Sequence, residues 1–570
     1  MRNISKEELD RASLGQLKDL CEVLREEICG TVAECGGHLS SNLGTVELTV
    51  ALHRVFSFPN DKIVFDVGHQ CYTHKLLSGR AERFHTLRKE GGLSGFPKRT
   101  ESAYDCYDTG HAGTAISAAL GIAKARDLKG EKFSVIALVG DGSFNNGLIY
   151  EALNSVRILN TNILIILNDN GMSISPTVGG THDILVEMKG AGAPDEDIRL
   201  FERYGLTYMG ICNGNDLQET MDALERAKEA LNKGSVLLHV VTKKGQGHPF
   251  CERSPEETHG VSKRSAGTKD YAEALGEELT ALAKKDKRIV AVTAAMTDSL
   301  GLRGFFNAYP ERSFDVGICE EHASVLCAAL ASEGMKPYYA IYSTFLQRAF
   351  DEIIHDICGQ NLPVTFCIDR AGITGADGET HQGVFDLSYL SFIPNLAIAV
   401  PKDLGELRAM LRMSVDYHAP LAIRYPRGGH EGTVKRVEVG KFEFLHSTVS
   451  DIVVLAAGER CLSMAEEVRQ RAAGKGMDFT LINARFIKPL DEELLRGLKQ
   501  KYIITIEDNA VIGGLGDAVD RFYLNCGKTI KNFGYDDSFI AHGEPRALAE
   551  KHGVSADKLF KTIEEFHARG

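Results

Sequence analysis

Nothing in the 570 residues approaches the run of ~20 apolar residues that a membrane-spanning helix requires, which excludes a helical membrane protein. No Cys-x-x-Cys pair occurs among the thirteen scattered cysteines, so a disulfide framework is not expected and the thiols read as reduced ones. Positive charge is in deficit: a net charge of −13 excludes a general binder of nucleic acid or anionic membrane. An anionic substrate would then need a local cluster of Arg, Lys or His. Low-complexity tracts and short-period repeats are missing, which sets aside repeat architectures. The first thirty residues are charged and helix-patterned with no apolar centre, unlike a secretory signal, and a cytoplasmic protein is expected.

What is present is ordinary for a globular protein, 43% hydrophobic and 25% charged residues, in a chain long enough for about three domains. Short β-branched runs alternate with helical patterns: KIVFDVG, FSVIALVGDG, NILIILNDN and SVLLHVVTKKG, then RIVAVTAA, YYAIYS, VTFCID, LAIAVP and LAIRYP, then DIVVLAAGE, DFTLINA and YIITIED. Buried strands separated by helices predict an α/β protein with parallel sheets. Two turn-rich stretches without apolar period, 245–270 and 427–440, read as linkers. They divide the chain into domains 1–265, 266–432 and 433–570.

The stretch GDGSFNNGLIYEALNSVRILNTNILIILNDN places Asp141 after one buried strand and Asn170 after the next. In a parallel α/β sheet, ligands lie outside the carboxyl ends of the strands. Gly140 and Gly142 let backbone approach a ligand, and a helix expected from near Phe144 turns its N-terminus towards the same place. Carboxylate, amide oxygen and helix end suit Mg²⁺ or Ca²⁺ holding a diphosphate. Gly-Asp-Gly alone reads sooner as a turn; the NDN group 29 residues on, behind a second strand, reverses that balance in favour of the site.

That pair resembles the metal and diphosphate signature of thiamine diphosphate enzymes. The blocks HLSSNLGTVELTVALH, DVGHQCYTHKLLSGR, GGLSGFPKRTES, NDNGMSIS, DVGICEEHAS, YSTFLQRAFDE, DRAGITGADGETHQGVFDLSYL, RYPRG and EDNAVIGGLG, in order along nearly the whole chain, resemble the 1-deoxy-D-xylulose-5-phosphate synthase family. The resemblance implies the thiamine diphosphate-binding fold twice, followed by a transketolase C-terminal domain, in a homodimer with the site between the first two domains. It implies condensation of pyruvate with D-glyceraldehyde 3-phosphate, with loss of CO₂, to 1-deoxy-D-xylulose 5-phosphate, a precursor for isoprenoids, thiamine and pyridoxal.

The same resemblance implies the residue roles. Asp141, Asn170 and the backbone of Met172 hold Mg²⁺. His69, His111, Ala112, Gly113, Gly142, Ser143, Asn170, Ile174, His248 and Phe345 meet thiamine diphosphate, and Glu320 hydrogen-bonds its aminopyrimidine. Glu321 next to Glu320 leaves the choice between the two acids open on sequence alone. His38, His259, His381 and Asp377 are the catalytic candidates. Tyr342, Arg348, Arg370, Arg424, Asp377 and His381 face the substrates, the arginines at 370 and 424 suited to phosphate. If helical geometry extends back to Tyr342, Tyr342, Phe345 and Arg348 fall within an arc of roughly 120°.

Departures and rivals also stand in the sequence. Ala112 and Gly113 replace two family serines, and His248 stands where the family often has an aromatic residue. From Asn170 to His248 is 78 residues, short for the family in the section that covers the site. The His69/Cys71/His74 trio has some metal-ligand character but no fourth ligand nearby. Rival functions are a transketolase-like enzyme with another donor or acceptor, a 2-oxo acid dehydrogenase component, and a non-catalytic binder of the cofactor. The Gly-rich GGLGDAV lacks G-x-G-x-x-G and is weak evidence for nucleotide binding.

Overall fold

The computed structural model describes all residues except 174–175, 192–194, 262–269 and 570. It divides into two compact units: Met1–Arg264 with Gly317–Cys319, and Ser265–Val316 with Glu320–Gly570. No described helix is long and apolar enough to cross a membrane.

The first unit holds one sheet of five parallel strands, β1 (Lys62–Phe65), β2 (Val135–Gly140), β3 (Leu164–Asp169), β4 (Leu206–Asn213) and β5 (Ser235–Val241), in the order β1-β2-β3-β5-β4. Its central strands are buried at nearly every position because both faces are covered. Ile136 and Leu138 enter a core with Leu24, Ile28 and Val32 of the helix Leu14–Cys35. Val135, Ala137 and Val139 enter the opposite core, with helices Ala115–Lys129 and Gly147–Leu159. β4 was not expected, because this edge strand is mostly exposed or half-buried and shows no continuous apolar run.

The second unit holds two sheets. One contains β6 (Ile289–Thr293), β7 (Ser313–Asp315), β8 (Lys336–Tyr342), β9 (Thr365–Asp369), β10 (Ala397–Ala399) and β11 (Leu421–Arg424). The other contains β12 (Glu443–His446), β13 (Ile452–Ala456), β14 (Thr480–Asn483), β16 (Tyr502–Ala510) and β17 (Thr529–Tyr535), in the order β12-β14-β13-β16-β17. The short β15 (Phe486–Lys488) leaves the last segment and pairs antiparallel with β10, giving the second sheet the order β15-β10-β11-β9-β8-β6-β7. The two sheets share one core: Val453, Leu455, Ile482 and Ile503 of the third pack in the cluster that contains Ala291, Ile341, Phe366 and Ile423 of the second.

Candidate active site

In the first unit, Asp141 follows β2 and is buried, its Oδ2 accepting from Thr177 Oγ1 at 2.9 Å. Its Oδ1 lies 3.4 Å from the Asn170 N–H. Asn170 Oδ1 accepts from Met172 N at 3.1 Å, closing a turn through Gly171, whose φ is +73°. Asp141, past the end of β2, thus adjoins the small turn that carries Asn170 and Met172 past the end of β3. Burial and the nearby charge of Asp169 push the Asp141 carboxyl up to about 6. A buried carboxylate beside a second acid fits a bound cation, since the ion's charge offsets both costs. Gly142 is required for space: a Cβ there would stand 2.8 Å from the Ser173 Cβ.

The helix after Asp141 begins later than expected. Ser143–Asn145 forms a 3₁₀ turn with Ser143 buried, and the α-helix starts at Gly147 because the Asn146 side chain caps it, accepting from Leu148 N at 3.1 Å. Gly113 has φ +90°, and a Cβ there would lie 2.4 Å from Asn146 Oδ1. Asp66, which the sequence reading passed over, accepts from Gly113 N at 2.9 Å and Ala115 N at 3.0 Å. The Asp66 carboxylate thus holds the chain at Gly113 and Ala115 through their N–H groups, without the two hydroxyls. Its only earlier trace was the Asp in DVGH.

His38, His69 and His259, far apart in sequence, form a triangle of rings with centroids 5.4, 5.6 and 5.3 Å apart. His259 Nδ1 lies 3.3 Å from Ser41 Oγ. Burial, the Lys244 ammonium and the two other rings hold His259 well below the usual histidine range, so it is neutral near pH 7. Lys244, also missed, is buried and donates to the Ser173 carbonyl beside the Asn170–Met172 turn. His248 is half-buried and caps the helix Pro249–Arg253, its Nδ1 accepting from Cys251 N at 3.3 Å. The His69/Cys71/His74 trio does not converge: His74 is bonded to His53 at 2.9 Å and Asp105 at 3.1 Å. Ile174 lies outside the described residues. Among the described residues of the shortened segment, Leu185, Met188 and Phe201 lie in the core and Lys189 Nζ is bonded to Asp169 Oδ1 at 2.7 Å.

In the second unit, burial separates the two adjacent acids. Glu320 is 3% exposed at the start of the helix Glu320–Ser332, whereas Glu321 is half-buried. Desolvation pushes the Glu320 carboxyl up to about 7, partly offset by Arg348, whose Nε lies 3.4 Å from Oε2. That oxygen accepts no hydrogen bond among the described residues, an orphan that suits a ring nitrogen.

Tyr342 does not belong to a helix. It is the last residue of β8, with φ −74° and ψ 144°, and the helix Ser343–Leu346 starts after it without a side-chain cap. A ring stack replaces the expected helical face. The Arg370 guanidinium lies 4.5 Å from the Tyr342 ring, Tyr342 stacks on Phe345 at 5.7 Å, and Phe345 meets the His381 ring edge-on at 5.5 Å. His381 Nδ1 is 2.8 Å from Thr380 Oγ1, and Asp377 is half-buried at the start of the turn Gly378–Thr380. Arg370 also pairs with Asp369 at 2.9 Å.

Arg424 departs from the expectation. It is 3% exposed and bound to Asp386 at 2.9 and 3.1 Å, to the Gly383 carbonyl at 3.2 Å and to the Asp508 carbonyl at 3.1 Å, which leaves its guanidinium committed inside the protein. Arg427, three residues on and exposed, was overlooked in the same RYPRG block.

Comparison with known proteins accounts for nearly the whole chain. Residues 1–196 and 188–242 match the 1-deoxy-D-xylulose-5-phosphate synthase family, 267–431 the transketolase pyrimidine-binding domain and 440–559 the transketolase C-terminal domain. The break in the first match falls in the shortened segment. The 1-deoxy-D-xylulose-5-phosphate synthases of Clostridium tetani (42% identical, 98% of this chain and 97% of the relative) and Caldanaerobacter subterraneus subsp. tengcongensis (43%, 98% and 97%) are similar throughout. Among solved structures, a split-gene transketolase matches 53% of this chain and 99% of its own at 28% identity and TM-score 0.48. Campylobacter jejuni transketolase matches 97% and 100% at 18% identity and TM-score 0.46. With three α/β domains of transketolase type and this identity over almost its full length, the chain belongs to the thiamine diphosphate-dependent 1-deoxy-D-xylulose-5-phosphate synthase family.

Proposed function

We propose that the chain condenses pyruvate with D-glyceraldehyde 3-phosphate, releasing CO₂ and forming 1-deoxy-D-xylulose 5-phosphate. The observation that carries this reading is Glu320: a buried carboxyl, raised by desolvation to about 7 and so partly protonated near neutral pH, with one oxygen left without a hydrogen bond. Such a group is suited to donate to the aminopyrimidine ring of thiamine diphosphate and hold its proton in place. Bound thiamine diphosphate supplies the carbanion chemistry. Asp141, Asn170 and the Met172 backbone are the residues that would hold Mg²⁺ against its diphosphate, and the Gly113 and Gly142 backbones admit it closely.

The remaining roles belong to this chain's side chains. Neutral His259, with His38 and His69, forms a proton-exchanging wall, since a neutral imidazole both accepts and donates. Tyr342 and Phe345 offer aromatic faces, and His381 and Asp377 offer polar groups to the acceptor. With Arg424 committed inside, phosphate recognition falls to Arg370 and Arg427, at the carboxyl ends of the neighbouring strands β9 and β11. The thiols fit a reducing cytoplasm, and a homodimer is the assembly that the family reading favours.

The test is CO₂ release from pyruvate by the purified protein with thiamine diphosphate and Mg²⁺, before and after adding D-glyceraldehyde 3-phosphate. Release that rises on addition, with a deoxyxylulose phosphate product, is expected. No turnover of pyruvate in either condition would overturn the reading in favour of another donor.

A further inference from the structure

The loop that carries Asp377 and His381 follows β9 of the second sheet, yet it is held by the third. A two-way backbone bridge closes its base, Gly372 N to Gly383 O at 2.6 Å and Gly383 N to Gly372 O at 2.8 Å. Ile373 and Val384, just inside and outside that bridge, are each 1% exposed and lie in the third sheet's own core. Further along, Gln382 Nε2 donates to the Ala541 carbonyl at 3.2 Å and Gly543 N to the Gly375 carbonyl at 3.3 Å.

Asp508, on β16, is the centre of this anchorage. Its Oδ1 accepts from Ile373 N at 3.3 Å and from the Tyr535 hydroxyl, and its Oδ2 pairs with Arg460 Nη1 at 2.6 Å. The fit is close: with φ +78° at Gly372, a Cβ there would stand 2.0 Å from Asp508 Oδ2. Arg424 grips the other end of the loop through the Gly383 carbonyl and ties it to the Asp508 carbonyl.

A buried charge is tolerated when its hydrogen bonds are all made, and such a network admits few alternative arrangements. We propose that Asp508, with Tyr535, Arg460 and Arg424, is a positioning device through which the third sheet sets the placement of Asp377 and His381, and with it the affinity for the phosphorylated aldehyde. The link to that substrate rests on the synthase reading; the clamp rests on the geometry alone.

Tyr535→Phe and Asp508→Asn in the full chain test it, with thiamine diphosphate and Mg²⁺ present. Two quantities are read: amide hydrogen exchange across 372–383, and the separate KM values for pyruvate and D-glyceraldehyde 3-phosphate. Exchange in the loop should quicken about tenfold, the size of one lost charge-assisted hydrogen bond, while β13 keeps its protection. The KM for the aldehyde should rise by a similar factor, with pyruvate's changing less than about twofold. Loop exchange at the wild-type rate in both variants would overturn the clamp. So would an equal rise in both KM values, or protection lost throughout the third sheet, which marks general destabilisation. If the wild-type protein does not turn over these substrates, the synthase reading fails, and the exchange measurement still decides the clamp.

Discussion

A single buried carboxyl shows how this chain converts packing into chemistry. Glu320 and Glu321 are chemically identical neighbours, but only Glu320 is taken out of water, and desolvation lifts it to about 7. Folding raises its affinity for a proton, so its contribution to stability is complete below about pH 4.5, falls as pH rises, and is lost once pH passes about 7. Glu320→Gln removes that term. In urea unfolding of the cofactor-free protein, the stability of the variant minus that of the wild type should grow by up to about 3 kcal/mol between pH 4.5 and 7, then level off. A difference that does not change with pH would refute the raised carboxyl, and the same variant should lose turnover while staying folded. ICEEHAS marks the position legibly, but the choice between the acids depends on what covers each one, which no local pattern encodes. The arginines make the same point. Arg370 directly follows β9 and Arg424 ends β11, yet one lies against the Tyr342 ring and the other is enclosed by Asp386 and two carbonyls.

At the scale of elements, the site is made where strands stop. The strands most legible in the sequence, β2, β3, β5, β8, β9 and β11, are buried along nearly their whole length because both faces are covered, and Asp141, Asn170, Tyr342 and Arg370 stand at or just past the ends of four of them. The turns after them were less legible, since caps compete there with helix propensity. Asn146 delays one helix to Gly147, and extended geometry keeps Tyr342 in its strand. The turn at Gly142 is also the tightest test of the proposed metal site. An added methyl would be forced against the Ser173 Cβ at 2.8 Å and would displace the backbone that carries Met172. Gly142→Ala should therefore raise the Kd for thiamine diphosphate, measured by calorimetry with Mg²⁺, by about tenfold or more, as a forced overpacking of 1–3 kcal/mol implies. An unchanged Kd would show that this turn does not hold the cofactor.

At the scale of the whole molecule, the turn-rich stretch 427–440 looks like a boundary in composition but not in packing. Val437 and Phe442 are buried in the core that the second and third sheets share, and β15 crosses to complete the second sheet. Composition reports local chain character, whereas cooperativity depends on which apolar faces meet, and those contacts join residues far apart in the chain, as in the pairing of Ile398 with Lys488. The edge strands β12 and β17 were illegible for a related reason: half-exposed, they carry mixed residues and no continuous apolar run. If the shared core governs folding, the second and third sheets open together. Val454→Ala is a stringent test, because Val454 lies on the far side of the third sheet, away from the shared core. Removing its two buried methyl groups should cost about 2 kcal/mol. Hydrogen exchange at the slowest amides of β8 and β9 should then lose as much protection as at those of β13, because all three report one opening of the unit. Protection lost in β13 alone would make the third sheet an independent folding unit, with β15 and the clamp on the Asp377/His381 loop no more than contacts between finished domains.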